Sequence, residues 1–355
     1  MTEKLGDGTR FAGIGTKRIA VEAFDWNAAK PGEKAGFELM LDAGLQEPLA
    51  MPAMQISGAH AGPALLVLAA VHGDEYEGIE TALRLFRTLD PQQVRGTVVM
   101  VAAANPLAYA AEARCSPEDG ANLARVFPGR LDGSPTERIA YWLTRQLIAK
   151  SDFLLDLHSG GSHYSVATLA GYYFNEESEI GRRSREAAEA FGAELLWAHE
   201  SIAPGRSVSA ALAYGVPWLY TEAYGGRRIR REDAELFYGG TLRLMRHLGM
   251  LDGQEMPGER LDAPGKLRRR RIYGDGNFDK SAEACADGFF VQAVPLGAEV
   301  GSGDRIGTIC SLDGQELQQV RAASGGLLVM VAGSPKVRKG DPLYMLAAVE
   351  PVAPA

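Results

Sequence analysis

The stretch Val71-His72-Gly73-Asp74-Glu75-Tyr76-Glu77-Gly78 sets an imidazole and a carboxylate three residues apart, a spacing that lets both reach one metal ion. A third ligand is on offer in Asp156-Leu157-His158-Ser159-Gly160. Two imidazoles and one carboxylate, with a fourth position left to water, make the open site of a catalytic zinc, so we expect one Zn2+ per chain on His72, Glu75 and His158. Such an ion brings the pKa of water towards ~7 and polarises a substrate carbonyl. Asp156 can hold the outer nitrogen of His158. Metal-assisted hydrolysis also needs a proton carrier, and Glu222, ending Leu219-Tyr220-Thr221-Glu222, is the best placed; a helix cap or a salt bridge is its alternative. The segment from Arg114 to Gly129 brings two cations, Arg114 and Arg125. One can stabilise an oxyanion and the other clamp a carboxylate, although by spacing alone the reading of either as a surface arginine prevails. Of the six histidines, His60 and His247 have no chemistry around them. His163, in a Gly/Ser loop five residues after His158, is expected to line the pocket and touch substrate, and His199 to border it; packing is the alternative for both.

Each of these residues needs an element to hold it. The apolar run Ala64 to Ala70 reads as a buried strand, and Ile79 to Leu89 is apolar at helical spacing. His72 and Glu75 thus fall on a strand-to-helix turn, where open α/β sheets carry their ligands. Phe153 to Leu157 is a strand closed by His158, and Pro217 to Tyr220 a short one ending at Glu222. Thr97 to Ala103 is another, left at Asn105-Pro106 because Pro106 forces an extended residue before it. Further strands are expected at 18–24, 37–41, 166–169 and 195–198, and helices from Ser134-Pro135-Thr136-Glu137 to about Lys150, at 178–191, 208–214 and 231–248. Leu107 to Gly133 reads as a long functional loop. The alternation of strands and helices predicts an α/β fold: a mixed sheet covered by helices on both faces.

After Gly249 the helical period disappears. Residues 251–272 are rich in Gly, Pro and charge, including Lys266-Leu267-Arg268-Arg269-Arg270-Arg271, and read as a solvated linker or an exposed strand edge, with a phosphate- or carboxylate-binding patch as the lesser alternative. Residues 273–355 repeat themselves: Val300 to Ile309 and Val337 to Leu346 both read V-x-x-G-D-x-aliphatic-x-x-aliphatic. Two equivalent Gly-Asp turns predict a small pseudo-symmetric β domain resembling the biotinyl/lipoyl-type barrel-sandwich. It lacks a lysine at a hairpin tip, so we read it as structural or as a wall of the active site. The expected division is a catalytic domain over 1–250, with a flexible arm at 1–17, the linker at 251–272 and the all-β domain at 273–355.

A chain of 355 residues exceeds what one core supports, in keeping with two domains. A net charge of −8 argues against a nucleic-acid partner. No run approaches the ~20 apolar residues that span a bilayer, and the polar N-terminus has no signal-peptide core. Three scattered cysteines suit a reducing compartment, which places the protein in the cytoplasm; a homo-oligomer is left open.

Five pieces in order, namely His72-Gly73-Asp74-Glu75, Asn105-Pro106, Asp119-Gly120-Ala121-Asn122-Leu123-Ala124-Arg125-Val126-Phe127-Pro128-Gly129, Asp156-Leu157-His158-Ser159-Gly160 and Thr221-Glu222, resemble the succinylglutamate desuccinylase/aspartoacylase family within the zinc carboxypeptidase-like fold. The resemblance covers roughly Gly62 to Arg228, and more loosely the C-terminal β domain. It implies zinc on His72, Glu75 and His158, Glu222 as general base and acid, Arg114 polarising the scissile carbonyl, and Arg125, with Asn122 beside it, binding the substrate. One departure is Ala124, where the family usually has an Asn that helps the arginine hold a carboxylate; this leaves the substrate's head group open.

The expected function is a zinc-dependent deacylase cleaving the amide of a small N-acyl amino acid or related N-acyl amine. A carboxypeptidase-like peptidase is a second reading, favoured by a pocket open enough for an extended peptide. A degenerate, non-catalytic binding protein is a third, favoured by failure to bind zinc.

Overall fold

The computed structural model describes residues 16–253, 255–256, 258–259, 269–274, 276–278 and 281–350. The predicted arm lies outside these except for its last two residues, and so does half of the predicted linker, including Lys266, Leu267 and Arg268 of the basic run.

The chain opens with strands β1 (Thr16–Ala20), β2 (Glu33–Leu41), β3 (Leu49–Ser57) and β4 (His60–Ala69), then helix α1 (Glu77–Thr88), β5 (Arg95–Val101) and the short α2 (Pro106–Ala110). Helix α3 (Pro135–Trp142) follows, then β6 (Phe153–Ser159), β7 (Tyr164–Val166), β8 (Leu169–Tyr173), α4 (Glu179–Phe191) and β9 (Leu195–His199). Next come α5 (Ser207–Ala213), β10 (Trp218–Ala223), α6 (Arg231–His247) and β11 (Arg270–Tyr273). The C-terminal strands are β12 (Ala282–Glu283), β13 (Gly288–Gln292), β14 (Glu299–Val300), β15 (Arg305–Cys310), β16 (Glu316–Arg321), β17 (Gly326–Ala332), β18 (Lys336–Val337) and β19 (Pro342–Val349).

The main sheet runs β1-β2-β3-β5-β4-β6-β10-β8-β9-β11-β19-β17-β14, with a separate sheet β16-β15-β13-β18. At its heart β5, β4, β6 and β10 are parallel neighbours. Strands with helices on both faces must bury successive side chains in opposite directions, and they do. Leu66, Leu68, Val99, Val101 and Leu154 face a core completed by Ile139 and Ala140 of α3 and Val208 and Ala211 of α5. Leu65, Val67, Val98, Met100 and Leu155 face the opposite core, with Leu85, Ala188, Phe191, Phe237 and Met245 from α1, α4 and α6. Each fully buried Leu or Val contributes about 1.5–3 kcal/mol, so these two layers hold the strand ends in fixed relation.

Several expectations are refined. The strand expected at 18–24 is a strand to Ala20 and then a 3-10 turn, Val21–Ala23. Strand β3 was not expected; it contains Pro52, which discourages a strand reading, yet it pairs antiparallel with both β2 and β5. The helix expected to Lys150 is α-helical only to Trp142 and continues as a π turn, Leu143–Leu147, and a 3-10 turn, Ile148–Lys150. Ser134 and Glu137 start it with a capping box, as the sequence suggests.

The Gly-Asp repeat is reproduced in atomic detail. Asp304 N donates to Gly301 O at 3.1 Å and Asp341 N to Arg338 O at 3.0 Å. Each aspartate's carboxylate also accepts from the first residue of its turn, Gly301 N at 2.7 Å and Arg338 N at 2.8 Å. Both turns pass the chain between the two sheets, from β14 to β15 and from β18 to β19, around a core of Phe290, Ile306, Ile309, Leu328 and Leu343. Strand β11 pairs with β9 on one side and β19 on the other, so the C-terminal strands continue the main sheet. Among the described residues no helix is long and apolar enough to cross a membrane.

Candidate active site

The carboxyl ends of β4, β6 and β10 lie level with one another. Register pairs Ala69 with Leu157, and His158 with Glu222, so the proposed third ligand and the proposed proton carrier are cross-strand neighbours. Just past β4 the chain turns sharply: Ala70 takes a φ of 49°, in the left-handed region that costs an L residue about 1 kcal/mol. Ala70 O accepts from Asn105 N at 3.1 Å, and Asn105 Oδ1 caps α2 through Ala108 N at 3.2 Å. The Asn105-Pro106 exit therefore braces the turn that carries His72. Gly73 packs so closely on this brace that a Cβ would sit 2.0 Å from the carbonyl carbon of Ala108.

His72, Glu75 and His158 converge, with one ligand atom from each lying within 4.8 Å of the others. Glu75 is the centre: Oε1 lies 2.6 Å from His72 Nδ1, and Oε2 3.0 Å from His158 Nδ1. Ser159 N also donates to Oε2 at 3.2 Å. The outer nitrogens are held as well. His72 Nε2 lies 3.1 Å from Asn122 Oδ1, whose identity as the oxygen follows from the donation it receives from Ala124 N at 2.9 Å. His158 Nε2 lies 3.1 Å from Asp156 Oδ2, which also accepts from Ser207 Oγ. With both outer nitrogens facing oxygen acceptors, a neutral imidazole carries its proton there and turns its Nδ1 lone pair towards the centre, the tautomer that metal binding requires. That donor set fits a zinc ion.

Charge follows from this packing. Burial opposes ionisation of Glu75, but the imidazoles of His72 and His158 outweigh it and hold the carboxyl well below its ordinary range. Burial lowers His72, with the Arg114 guanidinium adding to the effect. Burial opposes charging of His158 too, yet Asp156 and Glu75 raise it well above the ordinary imidazole value. Glu222 is pushed up to about 8, mainly by burial and further by the charge of Glu75, against the opposing pull of His158. A carboxyl titrating near neutrality can both take up and release a proton.

Arg114 reaches the same centre, with Nη1 3.4 Å from Glu75 Oε1 and 3.3 Å from His72 Nδ1. The cavity beside it is lined by His72, Arg114, Arg125, His158 and Glu222, among others. The loop that brings Arg125 in is tied down by Asp119. Its carboxylate accepts from Ala121 N at 3.0 Å, Ser134 Oγ at 2.7 Å, Thr136 N at 2.9 Å and Thr136 Oγ1 at 2.8 Å.

Two expectations need correction. His163 does not reach this cavity. Asp74 Oδ2 accepts from Ser162 N at 2.8 Å and Ser162 Oγ at 2.6 Å, turning the loop outward, and the His163 side chain, 54% exposed, lines a different hollow with Lys336 and Asp341. Asn122 is not among the residues that line the cavity; its amide oxygen faces His72 Nε2 and accepts from Ala124 N, so it contacts the imidazole. His199 is buried one layer behind the wall, stacked on Trp197 at 5.5 Å, with Nε2 2.8 Å from the hydroxyl of Tyr220. His60 and His247 are exposed.

The cavity also takes in Arg206, Ser207, Tyr220, Gly276 and Phe278, which the sequence did not single out. Tyr220 could have been found, since it lies two residues before Glu222 and so on the same face of its strand. Phe278 had no signal at all.

The chain is similar to known proteins across this whole region. Residues 61–248 match the family of the succinylglutamate desuccinylase/aspartoacylase catalytic domain. An N-alpha-acetyl-L-2,4-diaminobutyric acid deacetylase of Halomonas elongata is 33% identical over 291 residues, 81% of this chain and 83% of that protein. A succinylglutamate desuccinylase from Silicibacter sp. TM1040 superposes with a TM-score of 0.79 at 26% identity, covering 90% of this chain and 96% of the other. The product-bound ectoine utilization protein EutE (DoeB) of Ruegeria pomeroyi does so with a TM-score of 0.79 at 27% identity, covering 90% and 96%. The chain belongs to the succinylglutamate desuccinylase/aspartoacylase family.

Proposed function

We propose that this protein is a zinc-dependent deacylase of small N-acyl amino acids, with an N-acetylated diamino acid of the 2,4-diaminobutyrate kind as its leading substrate. The observation that carries the reading is the register pairing of Glu222 with His158, which sets a carboxyl of near-neutral pKa beside the His72–Glu75–His158 cluster. The deacetylase of Halomonas elongata, similar over most of both chains, supports the choice of substrate.

In this reading His72, Glu75 and His158 hold the zinc ion, which supplies Lewis-acid polarisation and makes water more acidic. Asn122 and Asp156 keep the two imidazoles in the tautomer that binds metal. Glu222 takes a proton from the attacking water and delivers it to the amine nitrogen as the amide C–N bond breaks, leaving a free carboxylic acid and an amine. Arg114 donates to the acyl oxygen as negative charge develops there. Arg125 and Arg206, both on the cavity wall, offer fork-shaped donors to the amino-acid carboxylate.

We also propose that the C-terminal strands form a barrel-sandwich-like unit whose approach segment walls the cavity.

Acetate release from N-alpha-acetyl-L-2,4-diaminobutyrate, beside a panel of acetyl, succinyl and formyl amino acids, tests the reaction. Glu222→Gln is expected to lower kcat about 10²–10⁴-fold while elemental analysis still finds one zinc per chain. Undiminished turnover in that variant would remove Glu222 from the mechanism.

A further inference from the structure

Arg125 is the cavity cation with a peculiar support. It stands on a 3-10 turn, Leu123–Arg125, and the neighbour that could steady it, Ala124, offers only a methyl group from its side chain. Its guanidinium is held from two other directions. Nη1 donates to the backbone oxygen of Ala124 at 3.0 Å, and Nη2 donates to Asn277 Oδ1 at 3.4 Å. Asn277 lies 152 positions further along the chain.

The segment that carries Asn277 is itself pinned. A Cβ on Gly276 would fall 2.5 Å from Cε1 of His199, so the backbone rests directly on that ring, and its φ of +66° suits glycine. Phe278 packs edge-on against Tyr164, with ring centroids 5.5 Å apart, and lies 6.2 Å from Trp197. Trp197 Nε1 in turn donates to Gly274 O at 3.3 Å. Gly276 and Phe278 both line the cavity, so Asn277 is held between two residues of its wall.

We propose that Asn277 is a positioning residue for specificity: it sets the plane of the Arg125 guanidinium for a substrate carboxylate, and so the segment 276–278 decides which head group the pocket accepts. The inference rests on the deacylase reading above. A guanidinium recognises a carboxylate through two parallel N–H groups in one plane, and tethering it on both sides reduces the rotamer freedom lost on binding. The amide at 277 takes up a task that the methyl of Ala124 cannot perform.

The test compares N-alpha-acetyl-L-2,4-diaminobutyrate with its α-carboxamide, which lacks the carboxylate, using the zinc-loaded full chain. In Asn277→Ala the KM for the acid is expected to rise roughly five- to tenfold, the scale of one ordinary hydrogen bond, with kcat within about twofold and the carboxamide unaffected. Adding Ala124→Asn to that variant is expected to recover part of the lost KM. Asn277→Ser, with a shorter polar side chain, serves if the alanine variant does not fold. An unchanged KM for the acid, or an equal loss on acid and carboxamide, would overturn the inference. A wild-type chain that releases acetate from neither would overturn the deacylase reading instead, which keeps the two failures distinct.

Discussion

Asp156 shows how much one carboxylate can do at a distance from the chemistry. It is buried, it receives the outer nitrogen of His158 and the hydroxyl of Ser207, and its charge is the leading influence raising the basicity of that imidazole. Asp156→Asn keeps the shape and removes the charge. It is expected to weaken zinc binding about 10–100-fold, as seen for partners that orient metal-bound histidines, and a competitive chelator titration reads this directly. Glu77, nearby and also buried, is the contrary case: burial pushes its carboxyl up, with the charges of Glu75 and Asp233 adding to the effect against the hydrogen bond from Ser159.

Among the elements, the segment from Arg114 to Gly129 is the one whose irregularity matters. It must carry Arg114 and Arg125 to the cavity with only the 3-10 turn Leu123–Arg125 as regular structure, and Asp119 supplies the stiffness. Burial raises that carboxyl, but donation from Thr136 N, Ser134 Oγ and Ala121 N more than compensates and leaves it below its ordinary value. A depressed carboxyl stabilises the fold at pH values above its unfolded pKa, near 4, and the contribution fades as pH falls through the lower folded value. Asp119→Asn is therefore expected to cost about 2 kcal/mol at pH 7, measured by denaturant unfolding, and the gap from wild type should narrow below about pH 4. A gap that persists unchanged at pH 3 would point to lost packing and not to the charge. The Asp119-Gly120 piece of the family pattern thus has a mechanical reason: Gly120, with a φ of +67°, makes the turn, and the aspartate ties it to the start of α3.

Across the whole molecule, the C-terminal strands are joined to the catalytic part by more than chain connectivity. Strand β11 hydrogen-bonds to β9, and Leu195 and Trp197 share a core with Leu327, Val329 and Met330. A chain ended at residue 250 would bare the edge of β9 together with that apolar surface, and an unpaired apolar edge invites aggregation. The expected outcome is loss of soluble monodisperse protein on size-exclusion chromatography. A well-behaved, zinc-binding fragment would show instead that the two parts are independent.

The sequence by itself singled out the residues proposed to bind metal and move a proton. His72, Glu75, His158 and Glu222 each terminate or follow a short apolar run, and local patterning reveals strand ends. It also revealed the Gly-Asp repeat, because each of those turns is stabilised within four residues. Only the tertiary structure decided what depends on contacts between distant segments: the register that sets Glu222 beside His158, the outward turn of His163 under the grip of Asp74, the engagement of Asn122 with an imidazole, and the arrival of Phe278 and Asn277 at the cavity. The physical reason is that hydrophobic periodicity is a property of neighbours along the chain, whereas the direction of a loop side chain is settled by hydrogen bonds made with partners that lie dozens of residues away.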